Sequence, residues 1–444
     1  MKKFFEAIRN IFSIEELRRR IIYTVILLMV FRLGSFIVLP GIDPDRLGDI
    51  TDALGGFGGF IDVLLGGAFS KAAIFALGIM PYISASIVVQ LLTVAMPYFQ
   101  KLQKEGESGR RRINSITRLL TIAITLAQSF GYLYATINRD AVMVNYTFFI
   151  ISSMVILTTG TMFTMWLGER ITERGIGNGI SMLIMIGIIS RLPQSMVKEA
   201  TSNNILSFII ELIVLYFVVM AVVMLTQATR KIPVQYAKQQ MAGNRGFGGQ
   251  RQYIPLKVNA AGVMPIIFAQ SLMFLPPLLA SIPGFRDTTV GLWLGTTFSS
   301  YTSVGYNLLL AVLIILFTYF YTAIQIDPNR IKDDIKRNNG FIPGVKPGPQ
   351  TAEYIARILD RITLPGSIFL AIVAILPSFA VRFGVTEEFA QFYGGTSLLI
   401  MVGVILDTLQ QINSYLLMRR YEGLMKSGKV RGSSRNIAVA ESWQ

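Results

Sequence analysis

AIFALGIMPYISASIVVQLL, Ala73 to Leu92, is followed after a short interval by KEGESGRRR, Lys104 to Arg112. The first stretch holds no charge and reaches the ~20 residues a helix needs to cross a bilayer. The second is a basic gap, and the alternation of the two kinds of segment recurs along the whole chain. Ten apolar segments can be read: Ile21 to Leu39, Ile74 to Met96, Ile116 to Thr136, Thr147 to Gly168, Ile180 to Val197, Ser207 to Thr226, Gly262 to Ile282, Val304 to Gln325, Thr363 to Val381 and Gly395 to Leu416. Of the 41 Lys and Arg, 33 lie in or at the edge of alternate gaps. Positive charge stays on the cytoplasmic side of a membrane, so the pattern orients all ten spans and puts both termini in the cytoplasm. The expected fold class is an all-α polytopic membrane protein.

Composition excludes several function classes. A hydrophobic fraction of 52%, a mean hydropathy of +0.53 and 15% charged residues are more apolar than a soluble domain of this length can hide. The net charge of +15 resides in cytoplasmic gaps and suits anionic head groups, an acidic partner or RNA. The chain has no Cys and no His, which removes disulfides, thiolate metal sites and the usual general base. Hydrolytic chemistry is not expected, and neither a catalytic residue, a metal nor a cofactor is assigned. The first apolar run lacks a small-residue cleavage site, so it reads as a span and not as a signal peptide.

Between the spans, Met1 to Glu16 places Phe4, Phe5, Ile8, Ile11 and Phe12 at helical spacing, as for a helix lying on the inner membrane surface; a solvated tail is the plainer alternative. The external stretch Pro40 to Ala73 contains six glycines within Gly55 to Gly67, around a short apolar core. It is too short to span and too apolar to sit in water. A flexible linker and a segment folded back into protein at membrane depth both fit these residues. The fifth span contains Gly187 and is expected to end early at Arg191 and Pro193; broken helices of this kind line pathways in transport proteins. Five spans on each side of a break near Arg191 to Leu206 allow an inverted repeat. Loops Arg230 to Asn259 and Ile326 to Ile362 carry more length and charge than orientation needs, which fits a docking platform or simple apposition to anionic lipid.

Several longer motifs then stand out together. The quoted second span and KEGESGRRR are joined by TGTMFTMWLGERITERGIGNGIS (Thr159 to Ser181), PLKVNAAGVMP after loop 6-7, GFIPGVKPGPQT in loop 8-9 and YGGTSLLI at the last span. GIGNG lacks the lysine of a phosphate loop and joins two spans, so it is not a nucleotide site. In order and over nearly the whole chain, these motifs resemble the SecY family, the central subunit of the bacterial Sec protein-conducting channel. The resemblance implies ten transmembrane helices in two pseudo-symmetric five-helix halves. These form a clamshell around an hourglass pore that opens sideways between spans two and three and spans seven and eight. Residues 1–20 would be the cytoplasmic N-terminal segment, 21–200 the first half, 201–416 the second, with cytoplasmic loops 230–259 and 326–362, and 417–444 the cytoplasmic tail.

By the same resemblance, the pore ring consists of Ile79, Ile83, Ile184, Ile188, Ile267 and Ile400. An apolar ring dewets and excludes ions without fixed charge, and branching at Cβ stiffens each side chain. Residues 56–70 become the plug, with Gly56, Phe57, Phe60, Ile61, Asp62, Leu64, Leu65 and Ser70; Asp62 is expected to face water in the funnel. Arg32 and Asp407 are charges in or near spans without an assigned partner. Arg245, Arg251, Lys257, Lys336, Arg337, Lys346 and Arg357 are the expected motor or ribosome contacts. Lys346 stands where the family usually has Arg, which keeps the charge and loses the bidentate fork.

The implied function is passage of unfolded secretory chains across the cytoplasmic membrane of a bacterium and lateral release of transmembrane segments, without enzymatic activity. SecE and SecG small membrane subunits, the SecA motor ATPase, a translating ribosome and anionic lipids are the implied partners. The rival is an inverted-repeat secondary transporter of small solutes. Its coupling would need titratable groups at mid-membrane, and Arg32, Glu211 and Asp407 are too few. An intramembrane protease fails on the absent His and absent paired Asp.

Overall fold

The computed structural model describes residues 14–43, 62, 65–137, 139–202, 204–236, 251–273, 288–298 and 302–426. Each of the ten apolar segments carries a helix over its described part. Helix α1 (Glu15–Gly34) has Glu15 and Glu16 in its first turn and Arg32 in its last, as the helix dipole favours. The second segment divides into α2 (Met80–Ala95) and α3 (Pro97–Lys104), bent by 95° at the Met96–Pro97 junction. Then come α4 (Glu107–Thr136), α5 (Tyr146–Arg174), α6 (Gly179–Ser202) and α7 (Ile205–Gln227). Later helices are α8 (Met264–Leu272), α9 (Thr289–Phe298), α10 (Val304–Gln325), α11 (Pro328–Arg337), α12 (Pro349–Arg382), α13 (Glu387–Ala390) and α14 (Gly395–Lys426). Among the described residues, seven helices are long and apolar enough to cross a membrane, or eight if the bent pair is one span. Helix α1 falls outside that number because Arg18, Arg19, Arg20 and Arg32 load it with charge, and α8 because it is nine residues long as described.

Two boundaries differ from expectation. The fifth span does not stop at Arg191 and Pro193: α6 runs through the proline to Ser202. Proline deprives one carbonyl of its N–H partner, and the Ser195 hydroxyl reaches into this turn, donating to the Arg191 and Leu192 carbonyls at 3.2 and 2.9 Å. The second span starts its helix only at Met80, because Gly78 adopts φ 50° and turns the chain.

Nothing in the apolar pattern announces a small three-stranded sheet. Strands β1 (Thr229–Tyr236), β2 (Arg251–Lys257) and β3 (Gly340–Phe341) lie in the order β2-β1-β3, all antiparallel. Thr229 pairs with Lys257, Gln235 with Arg251 on one side and with Phe341 on the other. Ile232 and Val234 point inward by the two-residue period of a strand and pack with Leu256, Ile335, Ile342, Ile355 and Leu359. Loops 6-7 and 8-9 are thus one body with its own core.

Within the bundle, one apolar core is built from residues 39–157 and another from residues 222–402. A third draws on both regions, from Phe31 to Val404. Outward faces stay apolar: α7 buries only Val222 fully, which suits a helix against lipid.

Candidate pore and plug site

The six isoleucines come from the turn before α2 and from α2, α6, α8 and α14, and all belong to the shared core. Ile188 is fully buried, Ile79, Ile83, Ile184 and Ile400 are buried, and Ile267 packs partly buried against them. The four-residue spacing of Ile79 to Ile83 and of Ile184 to Ile188 puts each pair on one side of its chain segment. A repeat unnoticed in the sequence explains the placement of Ile83 and Ile267. GIMPYI (78–83) and GVMPII (262–267) both start with a positive-φ glycine, at 50° and 64°, and then enter a helix at Met with Pro following. The residues before the two helices, Ile79 and Val263, share φ near −95° and ψ close to zero, at −98° and −1° against −92° and −14°. The hexapeptide pattern was the available signal; at six positions it is easily missed among so many apolar residues.

A cavity of about 430 Å³ has Ile83, Ile184, Ile267 and Ile400 on one part of its wall. Asn178, Asn259, Gln325, Lys257 and Asp407 also line it, among further apolar residues such as Val263, Met264 and Leu399. Asp407 therefore lines this cavity. Beside it, α2 and α10 meet where the Tyr321 hydroxyl donates to Gln90 Oε1 at 2.8 Å, and Phe268 stacks on Phe317 with ring centres 5.5 Å apart.

The glycine-rich stretch is described only in part. Gly56, Phe57, Phe60, Ile61 and Leu64 fall outside the described residues. Asp62, Leu65 and Ser70 are described, and Asp62 does not face water: it is 2% exposed. Its burial is balanced by an ion pair with the Arg191 guanidinium and by the Ser70 backbone N–H, which donates to Oδ1 at 2.8 Å. Leu65 packs with Phe69, Ala72 and Leu77. Arg32 has a partner too, since its Nη1 donates to the Gly66 carbonyl at 2.7 Å. Burial first, then Glu211 and Glu199, push the Tyr393 phenol above its ordinary range.

Of the basic residues singled out for docking, Arg245 falls outside the described residues and Arg251 opens β2. Lys257 ends that strand, exposed, while Lys336 and Arg337 occupy the last turn of α11. Lys346 is exposed in the turn before α12, where the Thr351 hydroxyl donates to its carbonyl at 3.1 Å. Arg357 pairs with Glu353 on the surface at 2.9 Å. The pairing of β1 with β3 brings these two loops onto one face.

The SecY family model matches residues 73–409. The chain belongs to the SecY family. Among the relatives of this SecY-family chain, the protein translocase subunit SecY of Halalkalibacterium halodurans is 44% identical over 440 residues, covering 95% of this chain and 100% of the relative. The protein of the same name from Thermotoga maritima is 40% identical over 440 residues, with 96% and 99% covered. Among solved structures, one described as the structure of a protein conducting channel aligns with a TM-score of 0.61 at 15% identity, covering 95% of both chains. Sec61 in the canine ribosome-channel complex aligns at 0.57 and 14% identity, again with 95% of each chain covered. At such identities the likeness is one of fold. The SecY-family chain is a multi-pass membrane protein.

Proposed function

We propose that this chain is the pore subunit of a protein-conducting channel, passing unfolded secretory polypeptides across the cytoplasmic membrane of a bacterium and releasing apolar segments sideways into lipid. The observation that carries the reading is the convergence of six isoleucines from separate elements in one shared core, four of which, Ile83, Ile184, Ile267 and Ile400, also line a cavity. An apolar constriction sheds water and stops hydrated ions at rest, yet its side chains have no specific bond to break when a polypeptide enters. The 78–83 and 262–267 repeat supports a clamshell of two related halves, spans one to five and six to ten. The Tyr321–Gln90 contact between α2 and α10 is the natural seam for lateral release. Residues 56–70 act as the plug under the ring.

Energy comes from partners on the basic face formed by β1, β2, β3 and α11. The SecA motor ATPase or a translating ribosome docks there, with Arg245, Arg251, Lys257, Lys336, Arg337, Lys346 and Arg357 as its contacts. SecE and SecG complete the channel, and anionic lipids face the same charges. Both termini lie in the cytoplasm, and no chemical step is assigned to the chain. The test is reconstitution of the chain with its small subunits into vesicles, with and without the motor, following protease protection of an unfolded secretory substrate. Motor-dependent protection is the expected result; uptake of small solutes without polypeptide transfer would favour a transporter.

A further inference from the structure

Few cations lie outside the cytoplasmic gaps, yet three of them, Arg32, Lys71 and Arg191, gather around residues 62–70. We propose that Asp62 and Arg191 form a charge latch that holds the plug in its closed position in this chain, with Arg32 as a second anchor. The inference rests on the reading of residues 56–70 as the plug and names what fixes that plug at rest.

The carboxylate of Asp62 is held at both oxygens. Oδ2 accepts from Arg191 Nη2, and Oδ1 accepts from the Ser70 backbone N–H at 2.8 Å. The same Arg191 nitrogen reaches the Ser70 hydroxyl at 3.3 Å, and the Asp62 carbonyl accepts from the Gly67 N–H at 2.9 Å. The side chains of Asp62 and Arg191 are 3% and 24% exposed. Arg32 lies over the Phe36 ring, 4.7 Å from its centre, while Lys71 lies 4.6 Å from the same centre. From there Arg32 donates to the Gly66 carbonyl.

The glycines make this approach feasible. Gly66 and Gly67 adopt φ of 63° and 88°, a region that favours residues without Cβ. A Cβ on Gly66 would come within 2.9 Å of the Gly187 carbonyl, and one on Gly67 within 2.8 Å of Arg191 Nη2. Gly187, which looked like a flaw in the fifth span, is where the plug meets α6. Apolar packing alone is non-directional, so it holds a plug near the pore without choosing a position. An ion pair with fixed hydrogen bonds selects one position. Moving the plug away would strand a buried charge unless water enters with the motion, so the latch holds in a dry funnel and releases in a wet one.

The experiment uses the full chain with its small subunits in planar bilayers, reading resting ion conductance, and vesicle translocation in parallel. Asp62→Asn and Arg191→Gln are expected to raise resting conductance about tenfold or more, since removing one partner of a buried pair is strongly unfavourable. Arg191→Lys keeps the charge and is expected to stay within about threefold of the parent. Because the chain has no cysteine, Asp62→Cys can be labelled selectively. An anionic methanethiosulfonate is expected to lower the leak of this variant, and a cationic one to leave it unchanged or raise it. Neutral variants as silent as the parent would overturn the latch, as would Arg191→Lys leaking like Arg191→Gln, or the two reagents acting alike. Motor-driven protection of substrate by the parent separates a failed latch from a failed channel reading, because only the latter abolishes it.

Discussion

At the proposed ring, isoleucine would combine two requirements that other apolar residues meet less well: its Cβ branch limits rotation, which would keep a constriction at one width, and its bulk reaches neighbours in the shared core. Ile83 and Ile184 both belong to the buried core and line the cavity. Replacing both with Ser is expected to raise resting conductance several-fold in single-channel recordings. Each change is also expected to lower thermal stability, by about 2 kcal/mol or more on the scale of large-to-small core substitutions. Recordings as quiet as the parent would remove the pair from the ring. Lys346 poses a different question, because it is exposed and acts as a point charge. Lys346→Arg should change little, while Lys346→Glu should weaken motor affinity and motor-stimulated translocation. Salt should narrow the difference, since exposed charges are screened beyond ~8 Å at physiological ionic strength. Motor binding measured on the two variants at low and high salt decides the matter.

Elements in this bundle pack closely where glycine permits. A Cβ on Gly160 of α5 would lie 2.3 Å from the Ile74 carbonyl, and one on Gly179 at the start of α6 would lie 2.0 Å from the Gly168 carbonyl. Backbone cannot yield as a side-chain tip can. Gly160→Ala should therefore shift α5 from the turn before α2 and cost about 1–3 kcal/mol, the usual range for overpacking, seen as a lower unfolding temperature in detergent. The proposed plug leads to a different expectation. Deleting residues 56–70 should leave the helical bundle folded by circular dichroism and make resting closure intermittent in bilayer recordings. Loss of the fold would instead make the segment a structural part of the core around Leu65.

At the scale of the molecule, the proposed exit for lateral release is the seam between α2 and α10, joined by the Tyr321–Gln90 hydrogen bond. Replacing Gln90 and Tyr321 with Cys in this cysteine-free chain and bridging them with a short bismaleimide should block insertion of apolar segments into lipid. Reversal by a cleavable version of the linker should restore insertion; unimpeded insertion with the bridge in place would move the exit elsewhere.

Residue order alone located the apolar helices, because a bilayer imposes length and polarity on any helix that crosses it, whatever its neighbours. The motifs then carried the family and, through it, the six isoleucines. Only the folded chain decided what those pieces do to one another. GIMPYI and GVMPII became equivalent once both were seen starting a helix at the same backbone turn. Asp62 was expected in water because a lone acid among glycines has no visible partner, and its partner lies 129 positions away on α6. Loops 6-7 and 8-9 were two charged stretches until β1 paired with β3. Pairing between distant segments is set by geometry that local composition does not encode, so contacts of this kind had to come from tertiary structure.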